Sequence, residues 1–227
     1  MPMTERTVKS LVLPNRKVHK EGLKTLTHFQ RQVILGMILG DSHLRLQQGA
    51  KHAYLALRQG EKQKELVDHL FAILRPWTWY QAPKAQYHGN KDYPTQTYCN
   101  FYFQTFSHRV FTDLHGVFYQ PSGSVANPWI KVIPEKMEEW ISPIAFAYHV
   151  MTDGSFAYKS LYLHTNSYTR VETLRYVAVL NRAFGLHGYV TPKGPYWIIR
   201  FPTKDLGTLQ TLLEPHMLPS FRYKLGL

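Results

Sequence analysis

The sequence predicts an α+β fold in which one order of elements, helix, strands, helix, strands, helix, occurs twice. Three observations carry this reading. An acidic turn, Leu39-Gly40-Asp41-Ser42, returns as Met151-Thr152-Asp153-Gly154. Each copy ends an apolar helical stretch, and each is followed by a strand-like segment and then an amphipathic helix.

The first apolar helix is expected over residues 28–40, with Thr27 as N-cap and Gln30 three residues on completing a capping box. The second is expected over 143–152, where Ser142 can cap and Pro143 suits the first helical position. Strands follow at 53–58 and 161–166. Amphipathic helices come next: 61–74, with Leu66, Leu70, Phe71 and Leu74 at helical spacing, and 170–184, with Leu174, Val177, Ala178 and Leu180. Further strands at 96–105 and 196–201 lead to short helices at 107–118 and 204–213. Residues 120–140, with Pro121, Gly123, Pro128 and Pro134, read as a linker. The expected organisation is therefore a basic arm (1–26), a first half (27–119), the linker (120–140) and a second half (141–227).

Composition supports an ordinary buried core, since 44% of the 227 residues are hydrophobic. The longest apolar run, Val33 to Leu39, is broken by Gly36 and falls far short of a membrane span of about 18 residues. A soluble, intracellular protein without a membrane partner is expected. The 27 Lys and Arg against 15 Asp and Glu give a formal charge of +12, which favours a polyanionic partner and salt-sensitive association. The single cysteine, Cys99, excludes an intramolecular disulfide and a multi-cysteine zinc site, and it reads as a small buried hydrophobe. The 12 histidines show no metal-ligand spacing. Arg6, Lys9, Arg16, Lys17, Lys20 and Lys24 are interrupted by Glu5, Pro14 and Glu21, a poor signal peptide and a plausible arm along phosphates.

The strand from Gln96 alternates cleanly. Gln96, Tyr98, Asn100, Tyr102 and Gln104 share one face, and Thr97, Cys99, Phe101 and Phe103 the other. Amides and phenols on an exposed sheet face suit base edges in a major groove, which admits a β-ribbon. Tyr162, His164 and Asn166 alternate similarly in the second half, and Arg200 stands alone on its strand. Arg45, Gln47, Arg58, Lys84, Gln86, His88, Lys159 and Lys193 complete the candidates for contact with double-stranded DNA.

At the acidic turns, Gly36 and Gly40 lie four apart on one helix face. Glycine there costs about 1 kcal/mol against alanine, so a close backbone approach is the reason to keep it. Two such helices side by side would bring Asp41 and Asp153 together at their C-terminal ends. Paired carboxylates are unfavourable in that position, and a divalent cation offsets them.

On these residues the sequence resembles the LAGLIDADG homing endonucleases. Gly36, Ile38 and Asp41 match the motif in place, and Ala147, Val150, Asp153 and Gly154 match it more loosely, 112 positions later. The similarity is closest to the single-chain, intron-encoded branch. Its signatures resemble Ile38-Leu39-Gly40-Asp41, Ser142-Pro143 through Ala147-Tyr148 to Met151-Thr152-Asp153-Gly154, and Tyr223-Lys224-Leu225.

The resemblance spans about residues 28–227. It implies two pseudo-symmetric αββαββα subdomains whose antiparallel sheets form a saddle over the major groove of DNA. It makes Asp41 and Asp153 the metal-binding catalytic acids, with Gly40 and Thr152 beside them in the metal set, and Lys224 a basic residue of the active site. The counterpart of Lys224 in the first half would fall near Ser107, with His108 and Arg109 as candidates to replace it. The implied activity is site-specific, staggered double-strand cleavage by a monomer using Mg2+, with Mn2+ as a substitute. An intron RNA maturase and a catalytically decayed DNA-binding protein on the same fold are the alternatives. The compartment expected is an organelle in a eukaryotic host and the cytoplasm otherwise.

Overall fold

A computed structural model of the chain describes residues 15–89 and 97–227. Gln96 and residues 1–14 of the basic arm lie outside them. The rest of the arm carries a short helix, α1 (Arg16–Gly22), capped by Asn15, whose side chain accepts from Lys17 N at 3.0 Å. It rests on an aromatic wall: the His19 ring nitrogen lies 2.8 Å from Pro76 O, and the Arg16 guanidinium 5.5 Å from the centre of the Trp79 ring.

The first half then runs α2 (His28–Leu39), β1 (His43–Arg45), β2 (Tyr54–Gly60), α3 (Lys64–Ile73), β3 (Lys84–Gly89), β4 (Thr97–Gln104) and α4 (Arg109–Phe118). The second repeats it as α5 (Pro143–Asp153), β7 (Gly154–Ala157), β8 (Ser160–His164), α6 (Arg170–Phe184), β9 (Tyr189–Lys193), β10 (Tyr196–Phe201) and α7 (Leu206–Leu213). Each half forms one antiparallel sheet, in the orders β1-β2-β4-β3 and β7-β8-β10-β9. The two orders are the same permutation, so the internal repeat extends from sequence to topology.

The caps follow the local sequence. Thr27 and Gln30 form the expected capping box, Thr169 and Glu172 form a second, and Ser142 accepts from Ala145 N at 3.2 Å. Gly185 ends α6 at φ 66°, a left-handed C-cap that favours glycine. β1 and β7 are only three and four residues long and follow their helices directly, so no alternation marks them. β3 is an edge strand whose exposed side chains include Lys84 and Tyr87, and it lacks an apolar face to read.

Residues 120–140 do more than connect. β5 (Tyr119–Pro121) and β6 (Trp129–Lys131) pair there as a small hairpin, with Tyr119 opposite Lys131. β6 places Trp129 and Lys131 on its inward side.

Helices α2 and α5 lie side by side through the middle of the molecule, buried from Gln32 to Leu39 and from Ala145 to Thr152. Their spacing is set by glycine. A Cβ on Gly36 would stand 2.3 Å from Ala145 O and 2.7 Å from Tyr148 Cβ. Ser142 Oγ donates to Gln32 Oε1 across the same interface at 2.6 Å. The obstacle at Gly36 is backbone, which cannot yield without separating the helices. Gly36→Ala is therefore expected to destabilise the fold by about 1–3 kcal/mol. Denaturant unfolding checks this, and an unchanged midpoint would refute the close approach.

Candidate active site

The helix pair delivers both acidic turns to one place. A Cβ on Gly40 would stand 2.0 Å from Thr152 Oγ1 and 3.2 Å from Asp153 Oδ2, so the end of α2 touches the end of α5. Asp41 is exposed at the mouth of this centre, and Asp153 is half-buried. The Asp153 carboxyl is pushed up to about 7, first by burial and then by the negative charge of Asp41.

Two lysines meet this charge from opposite sides. Lys224 Nζ donates to Met151 O at 2.6 Å and Thr152 O at 3.1 Å, the last carbonyls of α5. Lys131 Nζ donates to Gly40 O, the counterpart of Thr152 O, at 2.7 Å and to Ser42 O at 3.0 Å, just after α2. Burial lowers both ammonium groups to about 8, and Asp153 and Asp41 act against that fall. A cation on the carbonyl end of each helix also offsets the macrodipole that would oppose the aspartates. Each ammonium has three donors and spends two on carbonyls.

Lys131 therefore holds Gly40 O in the first half as Lys224 holds its counterpart Thr152 O in the second, and the expected location near Ser107 is corrected. Ser107 instead lines a small cavity with Gln47, Tyr54, Trp79 and Tyr80. His108 caps α4 by accepting from Val110 N at 3.3 Å, and Arg109 faces Asp113 at 3.8 Å. Lys131 was hidden by the turn-rich composition around it. Its signal was a lysine between Trp129 and Ile133 at alternate positions, where an inward side chain was due.

A second missed residue is Gln59, whose Nε2 donates to Asp41 Oδ2 at 3.1 Å. Gln59 is 7% exposed and follows Leu55 and Leu57 on the inward face of β2, so a buried amide breaks an apolar alternation. His43 stands beside the centre and is lowered to about 4 by burial, with Lys131 and Arg45 adding to the effect.

The donors available to a cation are hard oxygens: two carboxylates and the carbonyls of Gly40 and Thr152, each of which keeps a lone pair beyond its lysine. Among the described residues no group of three or more His, Cys, Asp or Glu gathers to hold a metal ion, so a cation here would rest on two carboxylates and backbone oxygens. Oxygen donors with room for phosphate and water fit a magnesium-like ion.

The sheets carry the other candidates. One open cleft of the first half is lined by Arg45, Arg58, Asn100, Tyr102 and Gln104 together with Asp41, and it connects the acid to the strand face. A neighbouring cleft includes Arg58, His88, Tyr98 and Asn100. Lys84 and Gln86 lie on β3 opposite Tyr102 and Asn100, and Gln47 is exposed beyond β1. Cys99 is buried on the opposite face, as expected.

In the second half Tyr162 and Arg200 pair across the strands, the guanidinium 5.5 Å from the ring centre and within 3.3 Å of Ser160 Oγ. His164 bonds Ser155 Oγ at 2.9 Å, and Asn166 falls in the turn after β8. Lys193 closes β9. Lys159 occupies the tip of the β7–β8 hairpin beside Tyr158, at φ 51° and 48°, the left-handed pair of a tight two-residue turn.

The LAGLIDADG DNA endonuclease family matches residues 31–209. A probable intron-encoded endonuclease of Wickerhamomyces canadensis is 27% identical over 222 residues, covering 93% of this chain and 91% of its own. The structure of the homing endonuclease I-WcaI bound to its DNA recognition sequence aligns with a TM-score of 0.84 and 26% identity over 95% of each chain. The cytochrome b mRNA maturase bI2 of Saccharomyces cerevisiae is 24% identical over 96% of this chain, which spans 52% of the maturase.

The electrostatics make opposite predictions for two substitutions. In metal-free protein, Asp41→Asn removes a like charge and lowers the Asp153 titration below its value of about 7. Lys131→Met removes an opposing charge and raises it. Carboxyl-carbon NMR titration reads both. Shifts of the same sign would contradict the four-charge centre.

Proposed function

The chain belongs to the LAGLIDADG DNA endonuclease family, and on that premise we propose that it is a homing endonuclease whose two acidic turns form one metal-dependent centre for cutting both strands of a long DNA target. The observation that carries the proposal is the duplicated end of the helix pair. Asp41 and Asp153, each preceded by a carbonyl bound to its own lysine, come together where the two helices end.

The geometry supports a role for each residue. Asp41 and Asp153 offer carboxylates to divalent cations, with Gly40 O and Thr152 O beside them. Bound magnesium would supply a water of lowered pKa and neutralise charge at the scissile phosphate. Manganese shares the oxygen preference and is the expected substitute. Gln59 fixes the Asp41 carboxylate. Lys131 and Lys224 each keep one ammonium donor free of the helix carbonyls, directed to charge developing on the phosphate. The near twofold arrangement provides one set of groups for each strand, which produces a staggered double-strand break.

Arg45, Arg58, Gln86, Asn100, Tyr102 and Gln104 in the first half, and Tyr162, His164 and Arg200 in the second, serve as major-groove contacts. Lys84, Lys159 and Lys193 serve phosphates. α1 adds Arg16, Lys17 and Lys20 to the positive surface at the side of the first sheet. No described helix is long and apolar enough to cross a membrane. The maturase relative makes intron RNA the competing ligand, without altering the assignment of the acids. An intron-encoded relative in a yeast is consistent with an organellar host compartment.

Asp41→Asn and Asp153→Asn are each expected to abolish double-strand cutting while changing duplex affinity by less than roughly tenfold, about 1.4 kcal/mol. Cleavage selection on a randomised duplex library with magnesium, followed by gel-shift on the selected site, tests this. Full cutting by either variant would remove that aspartate from the mechanism. Duplex affinity is also expected to fall steeply with salt, as several phosphate contacts require. A flat response would reject the basic surface as the DNA-binding face.

A further inference from the structure

The two acids are alike in position and unlike in support. Asp41 receives a hydrogen bond from Gln59 on β2. Strand register identifies the residue that should do the same for Asp153. His43, two after Asp41, pairs with Ala56, and Ser155, two after Asp153, pairs with Tyr162. Gln59 is three beyond Ala56, so its counterpart is Thr165, three beyond Tyr162. Thr165 is turned away, with Oγ1 donating to Trp197 O at 2.6 Å.

Another group approaches Asp153 instead. His149, one helical turn earlier on α5, is 0% exposed, and its Nε2 stands 3.8 Å from Asp153 Oδ2. That nitrogen is buried and has no hydrogen-bond partner among the described residues. The other ring nitrogen is engaged, with Nδ1 2.9 Å from the hydroxyl of Tyr176, itself 0% exposed on α6. The first half has nothing equivalent, because Met37 occupies the position one turn before Asp41.

We infer that His149 is a positioning residue for Asp153: Tyr176 donates to Nδ1, the ring proton resides on Nε2, and that proton is presented to Oδ2 of the carboxylate. Nε2 faces a carboxylate oxygen from a fully buried position, a place that suits an N–H rather than a lone pair, and a neutral imidazole has one N–H and one acceptor nitrogen. With Tyr176 donating, that proton can only be on Nε2. A separation of 3.8 Å exceeds a hydrogen bond, and a rotation of the Asp153 carboxylate would close it. An otherwise orphaned buried nitrogen then finds its partner in the working state. The consequence is an enzyme with two differently held acids: Asp41 by an amide from a strand, Asp153 by an imidazole from its own helix.

This inference rests on the assignment of Asp153 as a catalytic acid, and the test separates the two. Strand-resolved cleavage of an end-labelled duplex, each strand carrying its own fluorophore, is measured for wild type, His149→Met, His149→Gln, Tyr176→Phe and Asp153→Asn. His149→Met, which copies the first half, is expected to slow one strand by roughly ten- to a hundredfold, the usual effect of losing a partner behind a metal ligand. The other strand keeps its rate, so nicked duplex accumulates. His149→Gln keeps an N–H near the Nε2 position and restores balanced cutting. Tyr176→Phe nicks the same strand without introducing a side-chain change at the acid.

Nitrogen-15 NMR of the histidine rings gives a readout independent of cleavage. The expected His149 tautomer is protonated at Nε2, with a resonance that moves in Asp153→Asn. Equal slowing of both strands in His149→Met and Tyr176→Phe, or a ring protonated at Nδ1, would overturn the inference. Unimpaired cutting by Asp153→Asn would overturn the catalytic assignment instead.

Discussion

The contact between Gly36 and the Ala145 carbonyl is the constraint on which the rest of the molecule depends. A side chain there would collide with backbone 2.3 Å away, and one at Gly40 would collide with the Thr152 side chain one turn later. Two helices held this closely bring their C-terminal ends to one point. Each then turns directly into the first strand of its own sheet. The sheets inherit the pseudo-symmetry of the helix pair, and one cleft joins Asp41 to the strand face of the first half. A bulkier residue at either glycine would move the acids apart before it disturbed either half alone.

That geometry creates an electrostatic problem that the chain solves with its own side chains. Two carboxylates meet where two helices end in partial negative charge, and Asp153 responds by holding its proton up to about 7. Lys131 and Lys224 bond the terminal carbonyls and lie close enough to both acids to feel their charge. Gathering four charges at one centre is costly unless each is paired, and here the pairing leaves one ammonium donor on each side uncommitted. On the proposed function, this arrangement is preorganised to accept cations and a phosphate.

Much of this was legible in the sequence because local chemistry and tertiary structure agree. The caps at Thr27 and Ser142, the alternation from Thr97 to Phe103 and the two acidic turns are short-range signals, and the repeat doubles each of them. The residues that escaped notice are those whose role is purely tertiary. Lys131 lies among prolines and glycines that read as a linker, yet a three-residue strand carries it to the end of α2. Gln59 resembles any strand amide until its inward position is known. β3 has no alternation to read because an edge strand needs no buried face. The uneven support of the two acids depends on strand register, which a pattern of residue types does not specify.

The central claim is that the paired helix ends form one cation-binding centre for DNA cleavage. Its most direct test is a crystal of the protein on its selected duplex, soaked in manganese and measured for anomalous scattering. The account predicts peaks within bonding distance of the Asp41 and Asp153 carboxylates, with Gly40 O and Thr152 O alongside and the two scissile phosphates facing them. Manganese bound elsewhere, or phosphates that pass the helix ends without approaching either aspartate, would contradict it.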